Sequence, residues 1–482
     1  MKFAMLTTFF GPHSFGGDAA FVDRLSRALA RHGHEVHVIY CRDAFEMVKG
    51  DQTPRPYEAP PGVTIHPLTS RFGPLSPLAT HQTGLPGFKE KPIRDLLRSI
   101  RPDVVHFHNL SLIGGPGLLS VPAPGAVKLM TTHEHWLVCP LHVLWKFGEG
   151  VCEKQECVRC CVSSKIPPQL WRKTDLVDRS LKHLDALIGP SESTLREHSR
   201  RGIEAPMTHL PYFLPDDYTG LPEVPSPRFD RPYVAAVGRL EKIKGFQDVI
   251  RAMPRLPHLD LRIAGSGPFE GELRRQAEGM ENVHFEGRLD SAQVAALFRG
   301  AVAVAVPSLV YETFGYVVLE AFAEKTPVVV RDLGALPELV AESGGGLVFR
   351  SGDELVGALD RLSRDADLRD RLGCDGYMAR HGTWSEAEHL ERYFALIEER
   401  RRARRVRADR PHRLPVPARR GSFDRSQELN PKAILSPSPL AGEGRGGGAS
   451  HDGLLSQSAI PDVAHGATRP PTLTLPRKGG GD

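Results

Sequence analysis

Two glutamates lie eight residues apart in Tyr311–Glu320, a spacing that suits the binding of a sugar linked to phosphate. Glu312 precedes Gly315 in a predicted turn, and Glu320 falls in the early turns of a predicted apolar helix. Free N–H groups at a helix start favour a phosphate, and carboxylates accept hydrogen bonds from sugar hydroxyls. The segment therefore predicts a nucleotide-sugar site, although two solvent-facing glutamates on an ordinary amphipathic helix would show the same spacing.

A basic loop follows the predicted strand Tyr233–Gly238. Gly238 and Gly245 allow tight turns at its two ends, and Arg239 and Lys244 supply positive charge between them. A departing diphosphate needs such charge because its own negative charge grows in the transition state. The loop therefore predicts a phosphate contact, with a basic surface turn as the alternative.

These two segments, in this order and at this separation, resemble the group 4 family of retaining glycosyltransferases, which have the GT-B fold. The resemblance covers roughly residues 1–400. It implies that Arg239 and Lys244 hold the donor pyrophosphate. It also implies that Glu312 contacts the donor sugar ring and that Glu320 binds the ribose hydroxyls.

Glycines and the start of the helix complete the donor site that the resemblance implies. The expected donor contacts are Gly16, Gly17, Gly238, Gly265, Gly287, Phe314, Gly315, Tyr316 and Val317. Taken alone, the Gly16-Gly17 pair is as consistent with an ordinary loop. The turn at Gly265 continues into Pro268 and so lacks the G-x-G-x-x-G pattern of a dehydrogenase.

A histidine motif follows another predicted strand, in the segment Thr131–Trp136. The resemblance implies that His133 reaches the donor sugar across the cleft. His108 is a second candidate, for which a structural role is the alternative.

Apolar runs alternate with helical periodicity, which is typical of parallel sheets covered on both faces. The predicted strands are Lys2–Phe10, Glu35–Tyr40, Val104–His108, Val127–Thr131, Tyr233–Gly238, Leu261–Gly265, Val283–Gly287, Ala301–Val306 and Pro327–Val330. We therefore expect an α/β protein with two Rossmann-like doubly wound domains facing a central cleft, and the resemblance implies that this is the GT-B fold. The expected order is an acceptor-side domain (1–213), a linker (214–228), a nucleotide-sugar domain (229–384), a helix returning to the first domain (385–405) and a disordered basic tail (406–482).

Five of the seven cysteines crowd into one stretch, at Cys139, Cys152, Cys157, Cys160 and Cys161. In a cytoplasmic chain such a cluster suggests a metal or a stapled loop before disulfides. A structural zinc is an alternative that we do not favour, because the spacing fits no standard ligand pattern. We expect no cofactor, no metal in the active site, and a cysteine-rich loop (139–165) beside the acceptor side of the cleft.

The distribution of charged and apolar residues indicates which partners and which cellular location to expect. The net charge of +4 comes from residues 401–482, which carry +8, whereas the first 400 residues carry −4. This distribution, with no recognisable nucleic-acid motif, argues against a nucleic-acid partner. The chain has no apolar run of about 18 residues, and its start resembles a core strand rather than a signal peptide. We expect a cytoplasmic enzyme with peripheral contact at the inner face of the membrane as a further option.

The expected reaction transfers a sugar from a nucleotide-sugar donor to a hydroxyl of a saccharide or lipid-linked acceptor, in polysaccharide or glycolipid synthesis. The resemblance implies retention of the anomeric configuration. Two other functions remain open at this point: a nucleotide-sugar epimerase of related fold, and a non-catalytic GT-B binding module.

Overall fold

Strands and helices alternate along the described part of the computed structural model. Both sheets lie within one unit that contains Met1–Arg404. The structure describes residues 1–14, 16–50, 53–54, 56–215, 218, 224–226 and 229–409. More than half of the predicted linker, and the predicted tail beyond residue 409, lie outside the described residues.

The first domain has nine strands within its described residues. They are β1 (Lys2–Thr7), β2 (Glu35–Cys41), β3 (Val63–Leu68), β4 (Val104–Phe107), β5 (Val127–Thr131), β6 (Trp145–Lys146), β7 (Gly150–Val151), β8 (Ala186–Gly189) and β9 (Met207–His209). Seven of them form a parallel sheet in the order β3-β2-β1-β4-β5-β8-β9, and β6 and β7 form a separate antiparallel hairpin. Its helices are α1 (Gly17–Arg31), α2 (Arg42–Lys49), α3 (Leu75–Thr83), α4 (Glu90–Ile100), α5 (Cys157–Ser163), α6 (Leu176–Leu181) and α7 (Glu192–Arg200).

The second domain has a six-stranded parallel sheet. Its strands are β10 (Tyr233–Val237), β11 (Asp260–Ala264), β12 (Val283–Gly287), β13 (Ala303–Val306), β14 (Val328–Arg331) and β15 (Gly346–Phe349). Their order is β12-β11-β10-β13-β14-β15. The helices that follow are α8 (Phe246–Ala252), α9 (Glu270–Gln276), α10 (Ser291–Arg299), α11 (Tyr316–Ala323), α12 (Leu336–Ser343), α13 (Gly352–Arg364), α14 (Ala366–His381) and α15 (Glu386–Asp409).

The central strands are buried along their whole length, as expected for parallel sheets with helices on both faces. Every residue of β4, β5 and β13 is buried. One apolar cluster includes both Phe3 of the first sheet and Val304 of the second. The predicted fold class is therefore confirmed.

Helix α15 contacts the first domain after the chain has completed the second. Tyr393 places its hydroxyl 2.9 Å from Nδ1 of His106 in β4. Arg392 donates to the carbonyl of His209 at 3.0 Å, and Arg404 donates to the carboxylate of Asp185 at 2.7 Å. These contacts hold α15, as far as Arg404, against the sheet in which the chain began.

Three element ends differ from the sequence predictions by two residues or more, and several others differ by one residue. Strand β1 stops at Thr7 instead of Phe10, because Phe10 pairs with His13 across a turn containing Gly11 at φ 56°. Strand β13 begins at Ala303, two residues later than predicted. Helix α15 continues to Asp409, past the predicted end at residue 405. None of the helices in the described part of the chain has the length and apolar composition that a membrane span requires.

Candidate active site

The basic loop of the second domain connects β10 to α8 and packs closely on the loop after β13. Gly245 has φ 76°, and a Cβ there would lie 2.0 Å from the carbonyl oxygen of Pro307. Only glycine permits this approach. The loop bearing Arg239 and Lys244 is thereby held beside the loop bearing Glu312.

Lys244 and Glu312 form the central polar contact of these two loops. Nζ of Lys244 donates to Oε1 of Glu312 at 2.6 Å, and the Ser308 hydroxyl donates to the same oxygen at 2.6 Å. Burial works to raise the pKa of Glu312, but the neighbouring cation and hydroxyl hold this pKa below its ordinary value. The side chains are 27% and 21% exposed, so a ligand can reach both charged groups.

Arg239 adds a second cation at the same place. Its side chain is 71% exposed and donates to Glu241 at 3.2 Å. Its positive charge also contributes to the lowered pKa of Glu312. The structure therefore brings together Arg239, Lys244 and Glu312, as the predicted donor site requires.

The predicted glycines of the second domain meet at the carboxyl ends of adjacent strands. The N–H of Gly265 donates to the carbonyl of Gly287 at 2.7 Å. A Cβ on Gly265, which has φ 142°, would lie 1.9 Å from the carbonyl oxygen of Gly238. This edge of the sheet is where doubly wound domains bind ligands.

The start of α11 faces the first domain. Phe314 is buried, and Gly315, at φ 134°, precedes Tyr316 and Val317 in the first turn. The N–H groups of a first helical turn have no acceptor within the helix. The ring of Tyr316 stacks on Tyr212 of the first domain, with centroids 5.3 Å apart.

Glu320 lies one turn further along α11 and has partners of its own. Its carboxylate lies 4.0 Å from Nη2 of Arg24 in α1, and the Tyr218 hydroxyl hydrogen-bonds to it. Burial raises the pKa of Glu320, and these two partners oppose that rise. Arg24 also lies 4.4 Å above the centre of the Tyr316 ring. Glu320 is therefore tied to α1, whereas Glu312 is tied to the basic loop.

Two uncharged histidines, His108 and His133, form a wall on the first-domain side of the site. His133 has Nδ1 2.5 Å from the hydroxyl of Tyr212 and Nε2 2.9 Å from Nδ1 of His108. Burial lowers the pKa of His133 to about 3 and the pKa of His108 well below its ordinary value. The Thr313 hydroxyl donates to the carbonyl of His133 at 2.9 Å, which brings this wall against the Glu312 loop.

The sequence analysis did not identify several polar residues beside this wall as site residues. Asn109 donates to Asp18 at 3.0 Å and to Glu134 at 3.3 Å, and Glu134 lies 2.6 Å from Nδ1 of His142. Burial, followed by the charge of Glu134, raises the pKa of Asp18 to about 6. Asp18 directly follows the exposed pair Gly16-Gly17 at the start of α1. These residues could have been found in the sequence because each lies next to a glycine motif or a histidine.

The cysteine-rich segment packs into the core of the first domain. Cys139, Cys152 and Cys160 belong to one apolar cluster, and all five cysteines of the segment are free thiols. Among the residues that the structure describes, no three His, Cys, Asp or Glu side chains are grouped as metal ligands. The segment also reaches the basic loop of the second domain, through the hairpin β6–β7, a contact that the sequence analysis did not anticipate.

Comparison with known proteins gives matches to both halves of the chain. The family model "Glycosyltransferase Family 4" matches residues 15–215, and "Glycosyl transferases group 1" matches residues 222–378. A glycogen synthase of Mycobacterium tuberculosis is 29% identical over 364 residues, which is 72% of this chain and 82% of the relative. A phosphatidyl-myo-inositol mannosyltransferase of Mycobacterium leprae is 36% identical over 153 residues, which is 30% of this chain and 41% of the relative.

Solved structures share the two-domain fold. The sucrose-phosphate synthase of Thermosynechococcus elongatus has a TM-score of 0.61 at 20% identity, covering 84% of this chain and 99% of its own. HepE of Anabaena, solved in complex with UDP, has a TM-score of 0.57 at 15% identity, covering 83% and 100%. The solved structures show the GT-B fold, and the two family matches show that the chain belongs to the group 1 glycosyltransferases.

Proposed function

We propose that this glycosyltransferase moves a sugar from a nucleotide-sugar donor to a hydroxyl group of a saccharide or lipid-linked acceptor, with retention of the anomeric configuration. The proposal rests chiefly on the Lys244–Glu312 pair, held at 2.6 Å between two strand-end loops. A diphosphate needs the cation, and sugar hydroxyls need the carboxylate. HepE, a protein of the same fold, was solved with UDP-glucose, which supports this class of donor.

Donor binding exchanges the partners of this pair. The diphosphate takes the Lys244 ammonium, and Glu312 is then free to accept hydrogen bonds from the donor sugar. Arg239, with a side chain that is 71% exposed, adds a second charge to the leaving group. With two cations compensating the growing negative charge, the transfer proceeds without a metal ion.

The first-domain wall contacts the sugar with neutral groups. With a pKa of about 3, His133 is uncharged near neutral pH and acts as a hydrogen-bonding group, not as an acid. Because both ring nitrogens have partners in the first domain, the sugar takes the place of one of them, Tyr212 or His108. The departing phosphate oxygen takes the proton of the attacking acceptor hydroxyl on the same face of the sugar. No protein carboxylate serves as the base in this route.

A lipid-linked acceptor would bring the enzyme to the inner face of the membrane. Exposed apolar side chains on the first domain support peripheral contact there: Leu85 is 45% exposed and Phe88 is 51% exposed, with Lys91 nearby in α4. Co-sedimentation with anionic vesicles that weakens in Phe88→Ser would support this contact. Equal sedimentation of both proteins with anionic and neutral vesicles would exclude it.

A thermal-shift screen of nucleotide sugars and nucleoside diphosphates tests the proposed reaction. A ligand at 100 times its Kd adds about 2.7 kcal/mol to the free energy of unfolding, so a true donor gives a clear shift. The donor found is then incubated with saccharide acceptors, with and without EDTA, and the product is examined by NMR. Product of retained configuration in EDTA supports the proposal, whereas an inverted product, or isomerised donor without transfer, contradicts it.

A further inference from the structure

The hairpin β6–β7 of the cysteine-rich segment crosses to the second domain and covers its basic loop. Trp145 of β6 forms an apolar cluster with Ile243 and Val310, and all three are at least nine-tenths buried. Val143, Val151 and Leu309 pack against this cluster. An indole in such a contact buries more apolar surface than most other side chains.

The residues that the hairpin covers lie between the groups of the proposed donor site. Ile243 stands between Lys242 and Lys244, and its carbonyl accepts from the N–H of Leu309 at 2.8 Å. Lys242 donates to the carbonyl of Gly148 in the hairpin turn at 3.1 Å. The hairpin therefore holds both the loop that carries Lys244 and the loop that leads to Glu312.

Cysteine side chains help to fix the hairpin. Leu144 and Phe147, on either side of β6, have φ 51° and 55°, values that are costly for bulky residues. The N–H of Leu144 donates to the Cys139 thiol, and the N–H of Phe147 donates to Sγ of Cys160 at 3.5 Å. The N–H of Cys152 donates to the carbonyl of Leu144 at 2.7 Å. Such support suits a rigid element that must present Trp145 in one orientation.

We propose that Trp145 is a positioning residue for glycosyl transfer, holding the Lys242–Lys244 turn so that Nζ of Lys244 faces the donor diphosphate. This proposal rests on the proposed function. It assigns to the cysteine-rich segment a role on the donor side, where it connects the first domain to the phosphate-binding loop of the second. Trp145 acts through Ile243 and touches neither the diphosphate nor the sugar.

Hydrogen exchange of the chain without donor tests the positioning directly. In Trp145→Ala we expect amide exchange in residues 238–245 to rise about tenfold, because the loop loses its cover. Val162→Ala, at a side chain that is 64% exposed on the same segment, should leave this exchange unchanged. Unchanged exchange in folded Trp145→Ala would overturn the proposal, whatever the activity of the wild type.

The second test of the proposal measures turnover of the nucleotide sugar that stabilises the wild type most. We expect kcat to fall about tenfold in Trp145→Ala and in Ile243→Ala, and the double variant to lose little more, because the two side chains act as a unit. Trp145→Phe should restore most of the rate. Losses that multiply in the double variant, or no rescue by phenylalanine, would contradict the inference. A wild type that turns over no nucleotide sugar would instead count against the proposed function.

Discussion

On the second-domain side of the site, the charged groups stay accessible: the side chains of Lys244 and Glu312 are 27% and 21% exposed, and Arg239 is 71% exposed. On the first-domain side, burial lowers the pKa of His108 and of His133, which bind each other, and His133 also binds Tyr212. Under the proposed function, the cations lie where the diphosphate is held, and the neutral pair His108 and His133 lies where the sugar is contacted. The contrast implies that the two sides contribute to different parts of the reaction.

Removing the ammonium from the charged side should have the largest effect. We expect Lys244→Ala to lower kcat about a hundredfold or more, since loss of one such transition-state contact costs about 3 kcal/mol. The assay is nucleoside diphosphate release at saturating donor. Lys182→Ala, at an exposed lysine of the first domain, is the control, and near-equal rates in the two variants would contradict the role of Lys244.

On the neutral side, His133→Ala should lower kcat by up to about tenfold, because one neutral hydrogen bond is worth about 0.5–1.5 kcal/mol. His133→Gln, which keeps a hydrogen-bonding group, should recover part of the rate. His183→Ala, at an exposed histidine of the same domain, serves as the control. An effect on diphosphate affinity as large as the effect on kcat would show that the wall is not specific to the sugar.

Glu320 lies between the two sides, paired with Arg24 and Tyr218. If it binds ribose hydroxyls, Glu320→Gln should weaken nucleoside binding about tenfold, which corresponds to about 1.4 kcal/mol. Titration calorimetry of the nucleoside measures this, with Glu324→Gln as the control because Glu324 is bound to Arg299. A lower melting temperature with unchanged affinity would instead assign Glu320 to the contact with α1.

The smallest effect concerns pH and Asp18. Its pKa is raised to about 6, so its contribution to folding is favourable below pH 4 and is lost as pH rises through 6. We expect Asp18→Asn to gain about 1 kcal/mol over the wild type between pH 4 and pH 7.5, after allowance for partial solvent access. Chemical denaturation at both pH values gives the difference between the two proteins. The buried histidines destabilise both equally in acid and cancel in this comparison.

Local signals predicted much of the fold. Strands Val127–Thr131 and Val283–Gly287 occur with the predicted bounds. The first is buried throughout, whereas the second, at the edge of its sheet, alternates apolar and polar residues before a glycine. The end of β1 was wrong because Phe9 and Phe10 continue its apolar pattern into a turn. The apolar pattern of a sequence indicates which residues are buried, and a buried turn gives the same pattern as a buried strand.

The site was predictable as residue types but not as contacts. Lys244 and Glu312 were identified from their own motifs, yet their ion pair joins residues 68 positions apart. Neither the approach of Arg24 to Glu320 nor the packing of Trp145 on Ile243 has a local signature. Both of these last two contacts depend on how the two domains pack together, which only the folded structure shows.

The comparison of the two sides is tested most directly by titrating one nucleoside diphosphate, and its nucleoside, into Lys244→Ala and His133→Ala. We expect Lys244→Ala to bind the diphosphate about tenfold more weakly and the nucleoside as the wild type does, since a charge-assisted contact to phosphate is worth about 1.5–3 kcal/mol. His133→Ala should bind both ligands as tightly as the wild type. Unchanged diphosphate affinity in Lys244→Ala would contradict the assignment of phosphate to one side and sugar to the other. A loss of diphosphate affinity in His133→Ala as large as the loss in Lys244→Ala would contradict it as well.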